Sequence, residues 1–255
     1  MTIDCPFNWP RIRRIAGPCI RPGGSVLTDK ALEICRLPSG SRVADIGCGV
    51  GGTLEHLERT GVYRAVGLDS SEVLLKEVVP SFVPGRIVQG CTQILPFKKA
   101  SFDALFCECV LSILTDRLAA LREFALVLKE GGFLIMSDVF RQDAVGRGQP
   151  ETKSRGLPRR GILTKGGLLD VLTGLGFSLL LWEGHEKLLK EFMACMILAG
   201  ERLPDPWGCR QRQEKGKTNY SRISYFLLVA RKSGAAFQSI ENNGGCTSWT
   251  IRSCK

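Results

Sequence analysis

VADIGCGVGG, residues 43–52, is a short apolar strand running into a glycine turn. Gly47, Gly49 and Gly51 fall where the chain must leave the strand, and a helix-forming stretch, TLEHLER (53–59), follows at once. Such a turn needs backbone angles that a Cβ forbids, and it lets the backbone approach a ligand closely. The helix start behind it offers free N–H groups to an anionic group. Gly47, Gly49 and Gly52 also spell GxGxxG, a pattern that fits nucleotide cofactors of more than one class. Asp45 stands two residues before the first glycine, at the strand's carboxyl end. A carboxylate there suits a ligand with a cationic amino group, which a dinucleotide pyrophosphate lacks.

Outward from this turn the pattern alternates. Arg42–Ile46 is the first strand, and RAVGL (64–68) is a second, ending at Asp69. Ser70 or Ser71 caps a helix through Val73, Leu74, Leu75 and Val78 that Pro80 stops. Arg86–Val88 is a third strand. FDALFCEC (102–109) is a fourth, nearly continuous in apolar character, as in a strand buried on both faces. A helix over 118–128, a turn at Gly131 and Gly132 and a fifth strand over 133–137 follow. Then come a helix ending near Gly174 or Gly176, a strand SLLLW (178–182) with Trp182 in the core, a helix over 186–201 and a last strand SYFLLVA (224–230). Ahead of the first strand, Val26, Leu27, Ala31, Leu32 and Cys35 share one helical face, with Ser25 or Thr28 as cap. Strand–helix alternation of this kind predicts an α/β, doubly wound parallel sheet. The chain divides into a lead-in with a cap helix (1–40), one domain (41–232) and an aperiodic tail (233–255) expected to be mobile; a long basic loop spans about 141–161.

The totals set limits. With 255 residues, 44% hydrophobic and 24% charged, the chain is ordinary for a globular α/β domain. The absence of a long apolar run predicts no membrane insertion, and MTIDCPFNWPRIRR has no apolar stretch of a secretory signal, so a cytoplasmic location is expected. Eleven cysteines without a CxxC pair read as small buried hydrophobes, with no metal site assigned. The net charge of +10 gathers at Arg11, Arg13 and Arg14, at Arg155, Arg159, Arg160 and Lys165, and at Arg210, Arg212, Lys215 and Lys217. It admits an anionic partner, RNA included, but no RNA-binding motif accompanies it, which favours a solvated surface.

VADIGCGVGG, then VGLD, then GCTQILPFKKASFDAL, then LKEGGFLIMSD resemble, in order and spacing, the successive motifs of Rossmann-like (class I) S-adenosylmethionine-dependent methyltransferases over about residues 24–140. The resemblance implies a seven-stranded sheet, mostly parallel, whose antiparallel last strand ISYFLLVARK would supply. It implies that Asp45, Gly47 and Gly49 hold the methionine part, with Cys48 and Gly51 in the same turn. Asp69, with Ser70 beside it, would hold the ribose hydroxyls, and the Gly90–Cys91–Thr92 turn would face the adenine. The family often places an acidic residue where Cys91 stands, and a thiol is a poor acceptor.

The acceptor is expected above the strand ends. Alternation places Cys107 and Cys109 on one face of the fourth strand and Glu108 on the other. CVLS resembles the cysteine segment of the arsenite methyltransferases, relatives of the quinone C-methyltransferases. In that branch cysteines hold the metalloid, and Cys109 is the matching position, with Cys195 and Cys209 as candidate partners. RPGGSVLTDKALEICRLPSGSRVADIGCGVG, CECVLSILTD, LLLWEGHEKLLKEFMACMI and YFLLVARK resemble most a small methyltransferase family of anaerobic sulfate-reducing bacteria. Glu108, Cys109, Asp138 and His185 are the candidate catalytic residues, His185 as a base tunable near neutral pH. The expected reaction is methyl transfer to a small-molecule acceptor, soft or thiophilic in the arsenite-like case. The rivals are an RNA or protein methyltransferase using the basic loop and, more remotely, a nicotinamide-dependent oxidoreductase.

Overall fold

The computed structural model describes residues 13–14, 17, 19–60, 63–77, 86–142, 163–200 and 223–233. The strands are β1 (Arg42–Ile46), β2 (Arg64–Asp69), β3 (Ile87–Gln89), β4 (Phe102–Glu108), β5 (Leu128–Arg141), β6 (Leu163–Thr164), β7 (Phe177–Gly184) and β8 (Ile223–Lys232). The helices are α1 (Val26–Cys35), α2 (Gly52–Thr60), α3 (Glu72–Lys76), α4 (Arg117–Val127), α5 (Lys165–Gly174) and α6 (Glu186–Leu198), with a 3-10 turn at Leu111–Ile113. The sheet order is β3-β2-β1-β4-β5-β8-β7, with β6 beside β5. β8 runs antiparallel to both β5 and β7, and the pairs from β3 through β5 are parallel. This is the doubly wound, mostly parallel sheet that the strand–helix alternation predicts, enlarged by the two-residue β6.

Two apolar layers hold the sheet. On one face Ile46, Leu68, Leu105, Met136 and Phe226 pack with Leu121 and Phe124 of α4 and Leu168 and Leu172 of α5. On the other, Val43, Phe106, Ile135 and Tyr225 pack with Leu27 and Ala31 of α1, Leu54 and Leu57 of α2, and Leu189 and Phe192 of α6. β1, β4 and the middle of β5 are buried on both faces, as their unbroken apolar runs require. Trp182 does lie against the core, stacked on Phe226 at 4.5 Å with Lys165 Nζ 5.4 Å from its ring centre.

Several local expectations shift. β5 starts at Leu128, ahead of Gly131 and Gly132, and those glycines form an irregularity in its pairing with β4 rather than a turn leading into the strand. A Cβ on Gly132 would come within 2.9 Å of the Lys129 carbonyl, so the bulge needs glycine. Ser71, not Ser70, caps α3, accepting from the Leu74 N–H at 3.3 Å. Neither candidate caps α1 through its side chain: Ser25 stands at the cap position without such a bond, and the Thr28 hydroxyl is taken by Arg21. The tail beyond 233, the loop over 143–162 and Cys209 lie outside the described residues.

Asp138 is fully buried in β5. One oxygen accepts from the Ser112 N–H at 2.8 Å, the other from its neighbour Val139 at 2.7 Å. It therefore pins the 3-10 turn to the sheet. Burial pushes its carboxyl up to about 6, against those two bonds and the nearby Arg117 cation.

Two outcomes are expected. Gly47 has φ +80°, and a Cβ there would meet Val110 Cγ2 at 2.2 Å, whereas a Cβ on Gly49 would meet nothing within 4 Å. Gly47→Ala should therefore cost about 2–4 kcal/mol in chemical denaturation, and Gly49→Ala about 1 kcal/mol. Asp138 titrates higher in the folded chain than in the unfolded one, so its contribution to stability is greatest below about pH 4 and is lost as pH rises through about 6. Against Asp138→Asn, wild-type stability should fall by about 2 kcal/mol between pH 4 and 7.

Candidate cofactor and acceptor site

The glycine turn is locked to β2. The N–H groups of Gly47 and Cys48 both donate to the Leu68 carbonyl, at 2.6 and 3.0 Å. The Asp69 carboxylate accepts from Gly49 N at 2.8 Å through one oxygen and from Ser71 N at 2.8 Å through the other. Each of those oxygens has a second lone pair, so the group is oriented without being saturated. Gly67 lets the turn sit this close, since a Cβ there would strike Leu54 and the Cys48 sulfur.

Asp45, 3% exposed, ends β1 beside this turn. Among the described residues no hydrogen-bond donor reaches its carboxylate. Burial, with Glu108 and Asp69 adding in the same direction, holds its pKa well above the carboxylate range, and Arg21 opposes them. A buried carboxylate without a partner is costly, and an incoming ammonium would relieve it. Gly49, at φ +53° with open space where its Cβ would be, leaves room for that ligand. On the far side Gly90 N donates to the Asp69 carbonyl at 2.9 Å, Thr92 is buried, and the Cys91 thiol donates to Gln93 Oε1 at 2.8 Å. Ser70 is exposed, and its carbonyl accepts from Gln89. The set fits a nucleoside with an amino-acid tail: a carboxylate for the amine, a carboxylate for vicinal hydroxyls, and a closed turn for the base.

The acceptor candidates are partly drawn together. Glu108 is buried, and its Oε2 pairs with Arg21 Nη1 at 2.8 Å and accepts from the Thr53 hydroxyl at 2.8 Å. Cys109 departs from strand alternation. Its φ of +58° carries the thiol to the face of Tyr225, away from the Cys107 side. There the Tyr225 hydroxyl donates to Ser137 Oγ at 2.9 Å and lies 3.1 Å from Cys109 Sγ. Either group can be the donor in that second contact. Burial and the charge of Asp138 push the Cys109 pKa up, against the Tyr225 bond, which favours the neutral thiol. Asp138 projects into the opposite layer, beneath the 3-10 turn. His185 stands at the start of α6 with its backbone N–H on the Tyr225 carbonyl at 2.7 Å and its ring 3.6 Å from Glu183. Burial lowers its pKa despite that carboxylate. Cys195 lies on α6, half-buried.

Arg21, Thr53 and Tyr225 complete this cluster and carry no motif. RPGG ahead of a helix, a threonine just behind the glycines and a tyrosine in an apolar last strand are the only traces they leave in the sequence.

Comparison with known proteins bears on the domain and its fold. Residues 44–136 match the methyltransferase domain family. The ubiquinone biosynthesis O-methyltransferase of Xanthomonas axonopodis pv. citri is 31% identical over 112 residues, covering 42% of this chain and 46% of that protein. The chain spans about a third to a half of the curated relatives it matches. Among solved structures, the [4+2]-cyclase SpnF superposes with a TM-score of 0.68 at 24% identity, covering 88% of this chain and 93% of that one. Phosphoethanolamine N-methyltransferase 2 of Haemonchus contortus, solved with S-adenosyl-L-methionine, superposes with a TM-score of 0.61 at 19% identity, covering 88% and 56%. Residues 44–136 thus match a methyltransferase domain, and the chain shares its Rossmann-like fold with these solved structures.

Proposed function

We propose that this chain transfers a methyl group from S-adenosylmethionine to a small organic acceptor held over the carboxyl ends of β1, β4 and β5. The observation that carries this reading is Asp45, a buried carboxylate without a partner among the described residues, beside a glycine turn that has open space in front of it. In this reading Asp45, Gly47, Cys48, Gly49 and Gly51 hold the methionine part, and the amine answers the Asp45 charge. Asp69 uses its free lone pairs on the ribose hydroxyls, with Ser70 at its side. The turn of Gly90, Cys91 and Thr92 borders the adenine. When bound, the cofactor supplies an electrophilic methyl group on a sulfonium.

The protein's own task is alignment, and holding an acceptor in line provides much of the acceleration. Burial raises the pKa of both Cys109 and Tyr225, which disfavours a thiolate or phenolate nucleophile. Glu108 is engaged by Arg21 and Thr53 and shapes the wall. Asp138 orients the 3-10 turn beneath it. His185, kept neutral by burial, is the base where the acceptor brings a proton. A protonated Cys109 gives little support to a soft, metalloid acceptor and more to an oxygen or carbon nucleophile of the quinone-like branch. The same reading keeps the resemblance to the family of sulfate-reducing bacteria and a cytoplasmic location. None of the described cysteines is in a disulfide, and no described helix is long and apolar enough to cross a membrane.

One fold hosts several chemistries, as the cyclase relative illustrates, so transfer itself must be measured. Purified protein, methyl-labelled S-adenosylmethionine and a fractionated small-molecule extract, with quinols and arsenite run separately, should put label in the small-molecule fraction. Label in RNA or protein would replace this reading with the macromolecular one. Binding of NAD without binding of S-adenosylhomocysteine would end both. By calorimetry, Asp69→Ala should weaken S-adenosylhomocysteine binding by about 1–3 kcal/mol, and unchanged affinity would remove the ribose assignment.

A further inference from the structure

Arg21 precedes a Gly-Gly turn, Gly23 at φ +79° and Gly24 at φ +54°, that leads into α1. The segment presses on α6: a Cβ at Gly23 would lie 2.8 Å from Leu188 Cδ1. It also lies near the cofactor end of β1, because Cys19, itself buried, feels the charges of Asp45 and Glu108. The Arg21 guanidinium is 6% exposed and Glu108 is 4% exposed. Arg21 Nη1 reaches Glu108 Oε2 at 2.8 Å and the Thr53 hydroxyl at 2.6 Å, and Nη2 bonds to Thr28. Thr53 in turn donates to Glu108. Three separate pieces of the chain meet at this point: the lead-in segment, the end of β4, and the first turn of α2, where Thr53 follows Gly51 and Gly52.

We propose that Arg21 is a positioning residue that latches segment 19–24 over the ends of β1 and β4, so that cofactor binding and closure of this segment strengthen each other. The place of the Thr53 hydroxyl is set by the glycine turn and the first turn of α2. A ligand that holds the turn still removes freedom that the three-way bond would otherwise have to freeze, and two events that order the same element favour one another. Arg21 Nε and Glu108 Oε1 are buried without a hydrogen bond among the described residues. A pair built only to hold the fold would use them. The inference rests on the S-adenosylmethionine reading and adds to it a residue from outside the matched domain.

The test uses the full chain with S-adenosylhomocysteine as probe, reading its release rate and amide exchange over residues 19–28 with and without it. Two variants are compared with wild type. The double variant Arg21→Met with Glu108→Met removes both charges, so no ion is left buried alone. Thr53→Val keeps the shape and loses the hydroxyl, and it decides the matter if the double variant does not fold. Folded variants should release the probe about tenfold faster. They should also lose the probe-dependent slowing of exchange over 19–28 that wild type shows. A purely structural pair would lower the melting temperature and leave both readouts alone. Release within about twofold of wild type, or intact probe-dependent protection, overturns the latch while the cofactor reading stands. Failure of wild type to bind the probe overturns both.

Discussion

The bond from the Gly49 N–H to Asp69, with the Gly47 and Cys48 N–H groups on the Leu68 carbonyl, is the constraint on which the rest of the site depends. It clamps the exit of one strand to the exit of its neighbour and leaves three glycines holding backbone angles that favour no other residue. From that clamp the start of α2 is fixed, and with it Thr53. The gap in front of Gly49 stays open because nothing in the turn can relax into it. Asp45 stands at the carboxyl end of β1, just ahead of that turn.

Two of the buried carboxylates at this end of the sheet, Glu108 and Asp45, are treated differently. Glu108 is neutralised within the chain by a guanidinium and a hydroxyl. Among the described residues, Asp45 has only the pull of Arg21 and the repulsion of its acidic neighbours. A fold that compensates one carboxylate and leaves the other open has separated a permanent wall from a receptive position. That asymmetry says more about ligand chemistry than either residue does alone.

The sheet was legible in the sequence because its signals are local. Apolar runs over 102–108 and 224–230, glycines after β1 and a serine before α3 each act within a few residues. The glycine turn after β1 was legible for the same reason. The acceptor side was not, because it is assembled from contacts between segments 32 to 116 residues apart, such as Arg21 with Thr53 and Cys109 with Tyr225. Alternation failed at Cys109 because a positive φ reverses the expected direction, and no residue type there announces it. Likewise β5 began early because Gly131 and Gly132, which read as a turn, can equally form a bulge.

Burial raises the thiol pKa at Cys48, Cys107 and Cys109, and to about 12 at Cys35. Alkylating agents and peroxides attack the thiolate, and at neutral pH these sulfurs hold their protons. A chain with so many cysteines would ordinarily be fragile toward oxidants. Here the same low-polarity interior that packs the sheet also disfavours the thiolate at those sulfurs.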